Sequence, residues 1–256
     1  MGRLDGKVAI VTGGGVGMGC TVATRFAAEG AKVVVADWVA ETGEETAKNI
    51  NKAVGEATFV KVDVSKAADV QKMIKVAVDT YGGLHVLYNN AAVLVGAPLI
   101  EGKEEDFDKM IAVNLKGVWL GMKHAIPEMV KAGGGSIINV ASRCADTAER
   151  GVGLYAGTKG GVISISKAAA VENAKQNVRV NVIKPGPTRT PMAEEVFKEL
   201  PEALAHILQE TPDGRLAEVE EIANLAVFFA SDESTHITGQ KVSVDGGLDA
   251  EGHTLL

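Results

Sequence analysis

The feature that most constrains this chain is a repeated alternation. Short β-branched runs recur at 7–13, 32–37, 57–63, 85–91, 135–142, 178–186 and 240–247. Helix-length segments lie between them at 17–30, 40–54, 66–81, 104–132, 153–176 and 216–230. The runs are mostly apolar, as in "KVAIVTG" and "KVVVAD". Strands of that kind are covered on both faces, as in a parallel sheet. The alternation therefore predicts right-handed βαβ units and an α/β fold, a doubly wound, seven-stranded parallel sheet with helices on both faces. At 256 residues the chain suits one domain, 1–256.

One segment breaks the rhythm. Residues 187–215 carry prolines at 187, 191, 201 and 212 and interrupt the passage from the sixth strand to its helix. Loops at the carboxyl edge of such a sheet bind ligands. A substrate lid is expected there, with Met192, Val196, Phe197, Leu200 and Leu204 as its apolar set. Most of these recur at helical spacing, so packing against the domain accounts for them equally well.

The first turn carries "VTGGGVGMG", with glycines 13, 17 and 19 spaced Gly-x₃-Gly-x-Gly. Following a strand and opening a helix, such a loop lets backbone amides approach a pyrophosphate at the positive end of the helix. Gly13, Gly15, Val16, Gly17 and Met18 are the candidate dinucleotide contacts. Asp37 ends the second strand, where a carboxylate accepts hydrogen bonds from adenosine ribose hydroxyls and repels a 2′-phosphate. The loop has no Arg or Lys, and Trp38 stands where a basic residue would grip that phosphate. NAD is the expected cofactor; the competing role for Asp37 is a cap for the helix near Ala40.

Bulk properties narrow the function. A net charge of −7 with no basic stripe argues against nucleic acid. No apolar run is long enough to span a bilayer, so no membrane partner is expected. The amino-terminal residues enter a strand and a glycine loop without the layout of a signal peptide. Cys20 and Cys144 lack metal or redox spacing, and no histidine pairing suggests a metal site. A cytoplasmic chain acting on a small molecule is expected.

"YAGTK" places Tyr155 and Lys159 four residues apart, on one face of a helix. An ammonium held beside a phenol favours the phenolate and brings its proton chemistry toward neutral pH. The pair is a candidate acid/base unit.

With these pieces in place, the sequence strongly resembles the short-chain dehydrogenase/reductase family from about Gly6 to Gly247, with the motifs in family order. Thr12-Gly13 through Gly19 match the cofactor loop, and Asp63-Val64 match the pair that lies against adenine. Asn89-Asn90-Ala91-Ala92 match the motif closing the fourth strand, where the family more often has Gly at Ala92. Asn114, Ser142, Tyr155 and Lys159 match the catalytic tetrad. Pro185-Gly186, Thr188 and Thr190 match the segment at the nicotinamide end.

The resemblance implies a Rossmann-like fold and hydride transfer between NAD(H) and a secondary alcohol or ketone. In that scheme Tyr155 passes the proton, Lys159 lowers its pKa and binds nicotinamide ribose, Ser142 positions the reacting oxygen, and Asn114 holds a water on a proton relay. Asn90 and Ala91 are carried over as cofactor contacts. A homotetramer is implied, with 104–132 and 153–176 packing between subunits. The alternatives are an NADPH-dependent β-ketoacyl reductase, which Asp37 disfavours, and a non-catalytic dinucleotide sensor, which has no need of the tetrad. Arg143, directly after Ser142, could orient an anionic substrate, but Asp146 and Glu149 are near enough in sequence to pair with it.

Overall fold

The computed structural model describes residues 2–53, 55–147, 149–199 and 201–250. Seven strands form one sheet in the order β3-β2-β1-β4-β5-β6-β7, with every neighbouring pair parallel. They are β1 Val8–Thr12, β2 Lys32–Asp37, β3 Glu56–Lys61, β4 Val86–Asn89, β5 Gly135–Val140, β6 Val178–Pro185 and β7 Lys241–Val244. Each lies within or against the expected run, mostly shorter by a residue or more at one end. The order reverses between β1 and β4, which opens a crevice at their carboxyl ends.

The continuous apolar runs work as anticipated because alternate residues feed opposite layers. Ala9 and Val11 of β1 pack with Phe26 of α1 (Gly17–Ala28), Ile50 of α2 (Ala40–Ala53) and Phe229 of α9 (Val219–Ala230). Val8 and Ile10 face the other way, toward Met73 of α3 (Ala67–Tyr81), Met129 of α5 (Gly117–Lys131) and Val162 of α6 (Gly153–Asn173). Every residue of β1 and β6 is buried, whereas the edge strand β7 is partly exposed. Local signals set the helix ends. Gly82, with φ of 87°, stops α3 in the left-handed region, and Glu218 with Glu221 closes a capping box on α9.

The segment 104–132 departs from the expected single helix. It is α4 (Glu104–Met110), a π-helical turn (Ile111–Lys116) and then α5. A π turn inserts an extra residue into the helical spacing and is frequent at functional sites. Beyond β6, α7 (Pro191–Glu199) and α8 (Pro201–Glu210) occupy the proline-rich segment. Phe197 and Leu204 are half-buried, and α8 has no fully buried residue among those described. Leu200 and the side chains of Met192 and Val196 lie outside the described residues. None of the described helices is long and apolar enough to cross a membrane.

Candidate active site

The glycine loop is the floor of the crevice. Gly13 adopts φ of 63°, which L-residues rarely adopt. A Cβ on Gly19 would stand 1.9 Å from the Gly13 carbonyl oxygen, so the loop closes only around glycine there. The N-cap of α1 is Val16, which offers no side-chain acceptor, and the first-turn amides remain open to an anion.

Three expected cofactor groups meet this loop. The Gly15 amide donates to Asp37 Oδ2 at 2.8 Å. Val39 N donates to Asp37 Oδ1 at 2.9 Å, so the carboxylate both faces the loop and anchors the start of α2. Asn90 Nδ2 donates to the carbonyls of Thr12 and Gly13 at 3.1 and 3.2 Å. Its Oδ1 is buried without a partner among the described residues. Thr190 lies against Gly17, with its Cβ 3.8 Å from where a Gly17 Cβ would stand. The uncapped helix end, the glycine cradle, the edge carboxylate and this orphaned acceptor fit an adenine dinucleotide.

Other expected contacts have local duties. Asp63 accepts from Ser65 N and Oγ at 3.0 and 2.6 Å and lies 3.3 Å from Lys66. Burial pushes its pKa up, but Ser65 and Lys66 outweigh that and hold it below the usual range. Val64 packs against Gly117 at the start of α5. Thr188 donates to the Gly186 carbonyl at 2.9 Å and forms a parallel bridge with Ala217. Thr190 Oγ1 accepts from Ala193 N at 3.2 Å, capping α7.

Asn114, Lys159 and Ser142, three members of the expected tetrad, are held by buried and partly buried hydrogen bonds. Asn114, in the π turn, accepts from Val93 N and donates to Val93 O, both at 2.8 Å, and donates to Thr158 Oγ1 at 3.2 Å. This ties the segment after β4 to α6 directly beside Lys159. Lys159, 2% exposed, donates to the Val140 carbonyl at 2.8 Å, which fixes α6 against the end of β5. Two residues on, Ser142 begins the β5–α6 connection, and its hydroxyl donates to Cys144 Sγ at 3.3 Å.

The electrostatics differ from the spacing argument. Lys159 Nζ stands 5.6 Å from the centroid of the Tyr155 ring and is turned toward Val140. Burial pushes the half-buried Tyr155 phenol up and Cys144 adds to this; the Ser142 hydroxyl pulls it down, and the Glu149 charge raises it again. In the protein alone, burial outweighs the influences that favour the phenolate. Burial also disfavours the ammonium, pushing Lys159 down to about 8.

Arg143 is paired with Glu149 at 2.8 Å. Asp146 instead meets Lys241 at 2.6 Å and the buried Lys184, which also binds Asp249. Two residues named in the sequence have supporting roles that the sequence does not show. Thr12 Oγ1 accepts from the amides of Asn90 and Ala91 at 2.9 and 3.2 Å, joining β1 to β4. Glu149 entered only as a partner for Arg143, yet it also accepts from Cys144 Sγ at 3.3 Å. Among the described residues no cluster of three or more His, Cys, Asp or Glu is placed to hold a metal.

Comparisons with known proteins agree with this architecture. Residues 14–249 match the family model described as Enoyl-(Acyl carrier protein) reductase. The chain is 43% identical over 245 residues to 2,5-dichloro-2,5-cyclohexadiene-1,4-diol dehydrogenase LinX of Sphingobium indicum, covering 96% of this chain and 97% of that one. It is 39% identical to the 3-oxoacyl-[acyl-carrier-protein] reductase FabG of Thermotoga maritima, covering 96% and 99%. A solved gluconate 5-dehydrogenase from Burkholderia cenocepacia J2315, in complex with NADP and tartrate, superposes with a TM-score of 0.93 at 31% identity, covering 98% of each chain. With these likenesses spanning nearly its whole length, the chain belongs to the short-chain dehydrogenase/reductase family of oxidoreductases.

Proposed function

We propose that this protein is an NAD-dependent dehydrogenase of secondary alcohols, reversible toward the ketones, with Tyr155 as its acid/base. The observation that carries the reading is the gathering of Ser142, Tyr155 and Lys159 around one half-buried phenol, at the carboxyl edge where the glycine loop opens. Tyr155 Oη accepts the proton of the substrate hydroxyl, or returns it in the other direction. Ser142 Oγ holds the same oxygen and fixes the carbon's approach. Lys159 keeps a positive charge beneath the ring and binds a nicotinamide-ribose hydroxyl. The side chain of Asn114 is engaged by Val93 and Thr158, so its backbone carbonyl, in the π turn, is the group left to hold a water behind Lys159. When bound, the nicotinamide supplies hydride chemistry that no side chain can.

Gly13, Gly15, Val16, Gly17 and Met18 hold the pyrophosphate in this reading, Asp37 the adenosine ribose, Asp63, Val64, Asn90 and Ala91 the adenine side, and Thr188 and Thr190 the nicotinamide end. NAD is favoured because the Asp37 carboxylate, held at the loop by the Gly15 amide, would repel a 2′-phosphate brought to this end of the crevice. Residues 187–215 act as the substrate lid. Trp119 and Phe107 on the α4–α5 segment and Val171 on α6 are exposed apolar residues, which supports a homotetramer packed through those helices. Cys20 and Cys144 are both free, in keeping with a reducing cytoplasm. The direct test is a spectrophotometric screen of NAD⁺ and NADP⁺ reduction across secondary alcohols, diols and hydroxy acids, with light scattering for the assembly. NAD⁺ reduction by a tetramer is expected. Absence of turnover across the screen refutes the dehydrogenase, and a monomeric mass refutes the tetramer.

A further inference from the structure

The site holds a second polar group that the reaction does not use. Glu149 lies on the connection between β5 and α6. Its Oε1 accepts from Arg143 at 2.8 Å and from the Cys144 thiol at 3.3 Å. The same sulfur accepts from the Ser142 hydroxyl at 3.3 Å, so Glu149 Oε1 and Ser142 Oγ are separated by no more than twice that distance. The Glu149 charge is felt at the Tyr155 phenol, which it pushes up. Oε2 accepts no hydrogen bond among the described residues, and the side chain is 31% exposed. Arg143 is only 17% exposed and already paired, so an anionic substrate would meet the carboxylate together with the guanidinium.

We propose that Glu149 Oε2 accepts a hydrogen bond from a second hydroxyl of the substrate, which makes diols and polyols, rather than monoalcohols or anionic hydroxy acids, the substrate class of this site. The proposal rests on the dehydrogenase reading above. An ionised carboxylate only accepts, so it selects a hydroxyl and rejects another acceptor or an anion. Oε2 belongs to the same carboxylate as Oε1, whose distance from Ser142 Oγ is bounded above, and the two acceptors suit two hydroxyls carried on one small carbon frame. A site built to bind a hydroxyl discriminates strongly when the carboxylate is dry. Water reaches this one, so discrimination of about 10- to 100-fold is expected rather than the ~10⁴ of a sealed site.

The test compares cyclohexane-1,2-diol and cyclohexane-1,4-diol with cyclohexanol, in the wild type and in Glu149→Ala and Glu149→Gln. At least one diol should exceed cyclohexanol in kcat/KM by ~10-fold or more, and Glu149→Ala should remove that advantage; cyclohexanol, which lacks the second hydroxyl, reads whatever the lost charge does at Tyr155, so the diol-to-cyclohexanol ratio isolates the contact. Glu149→Gln, which keeps one acceptor oxygen, should retain part of it. Calorimetric binding of the same alcohols to Tyr155→Phe protein with NAD⁺ reads the contact without turnover. Tighter diol binding that disappears with Glu149→Ala supports the contact even if no alcohol is oxidised, an outcome that would remove only the dehydrogenase reading. Oxidation of cyclohexanol with no diol advantage, equal losses on both substrate classes, or no diol preference in binding overturns the Glu149 assignment.

Discussion

Replacing Asp37 with serine tests the cofactor assignment at the group that carries it. The carboxylate accepts from Gly15 N at 2.8 Å and Val39 N at 2.9 Å, which fixes a negative charge at the mouth of the glycine loop. A 2′-phosphate brought to about 4 Å would meet a repulsion of roughly 4 kcal/mol per charge pair at an effective dielectric near 20. Lys61 and Lys66, 5.5 and 5.9 Å from the Trp38 ring centroid, offset part of that. A net preference of about 3 kcal/mol remains, or ~10²-fold in kcat/KM for NAD⁺ over NADP⁺. In Asp37→Ser the ribose loses its charged acceptor, so efficiency with NAD⁺ should fall by ~10-fold. Efficiency with NADP⁺ should rise by ~10- to 100-fold as the repulsion disappears, bringing the two cofactors to within ~10-fold of each other. Initial rates with both cofactors measure this directly, and added salt should improve wild-type use of NADP⁺ by screening the same charge. Equal wild-type efficiency with the two cofactors would refute the reasoning.

Two predictions concern buried charge. Lys159 titrates near 8 in the fold against an ordinary value of 10.5, so between these pH values the unfolded chain binds more protons and stability rises with pH. Below about 8 the full cost, on the order of 3 kcal/mol, is present. Lys159→Met should therefore stabilise the protein at pH 7 by at least ~1 kcal/mol after loss of the bond to Val140, and flatten the rise above pH 8, while abolishing activity. Denaturant melts across pH check this, and a destabilised variant at pH 7 contradicts it. Lys184→Met leaves Asp146 and Asp249 facing each other without their shared cation. It should cost about 2–3 kcal/mol, less than a fully buried pair because both carboxylates are partly exposed, with Lys184→Arg recovering part in a thermal melt.

The sheet was legible because buried strands write continuous apolar runs, and β1 and β6 proved buried throughout. The division of 104–132 was not, since one extra residue in the π turn leaves the apolar pattern on both sides intact. Asp37 was read as either a cofactor ligand or a cap. Its two oxygens accept from the Gly15 and Val39 amides, so the structure places it between the loop and the start of α2, and its ribose contact belongs to the proposed function. Tyr155 and Lys159 were found by spacing, but spacing could not say that Nζ turns to Val140 or that burial governs the phenol. Lys184 reads as one of three polar residues in its strand, with Arg179 and Asn181. Its partners lie 38 and 65 residues away, beyond any local pattern.

The proposed activity depends on Tyr155 as the proton-transferring group. Its most direct test is the rate of NAD⁺ reduction with one secondary alcohol or diol, measured across pH for the wild type and Tyr155→Phe, together with NADH binding to both. With the positive charge of bound NAD⁺ opposing the effect of burial, the wild-type rate should rise with pH as the phenol ionises, and the variant should lose ~10³-fold or more in rate while binding NADH within about 3-fold of wild type. A variant that keeps more than about a tenth of the wild-type rate would remove Tyr155 from the acid/base role.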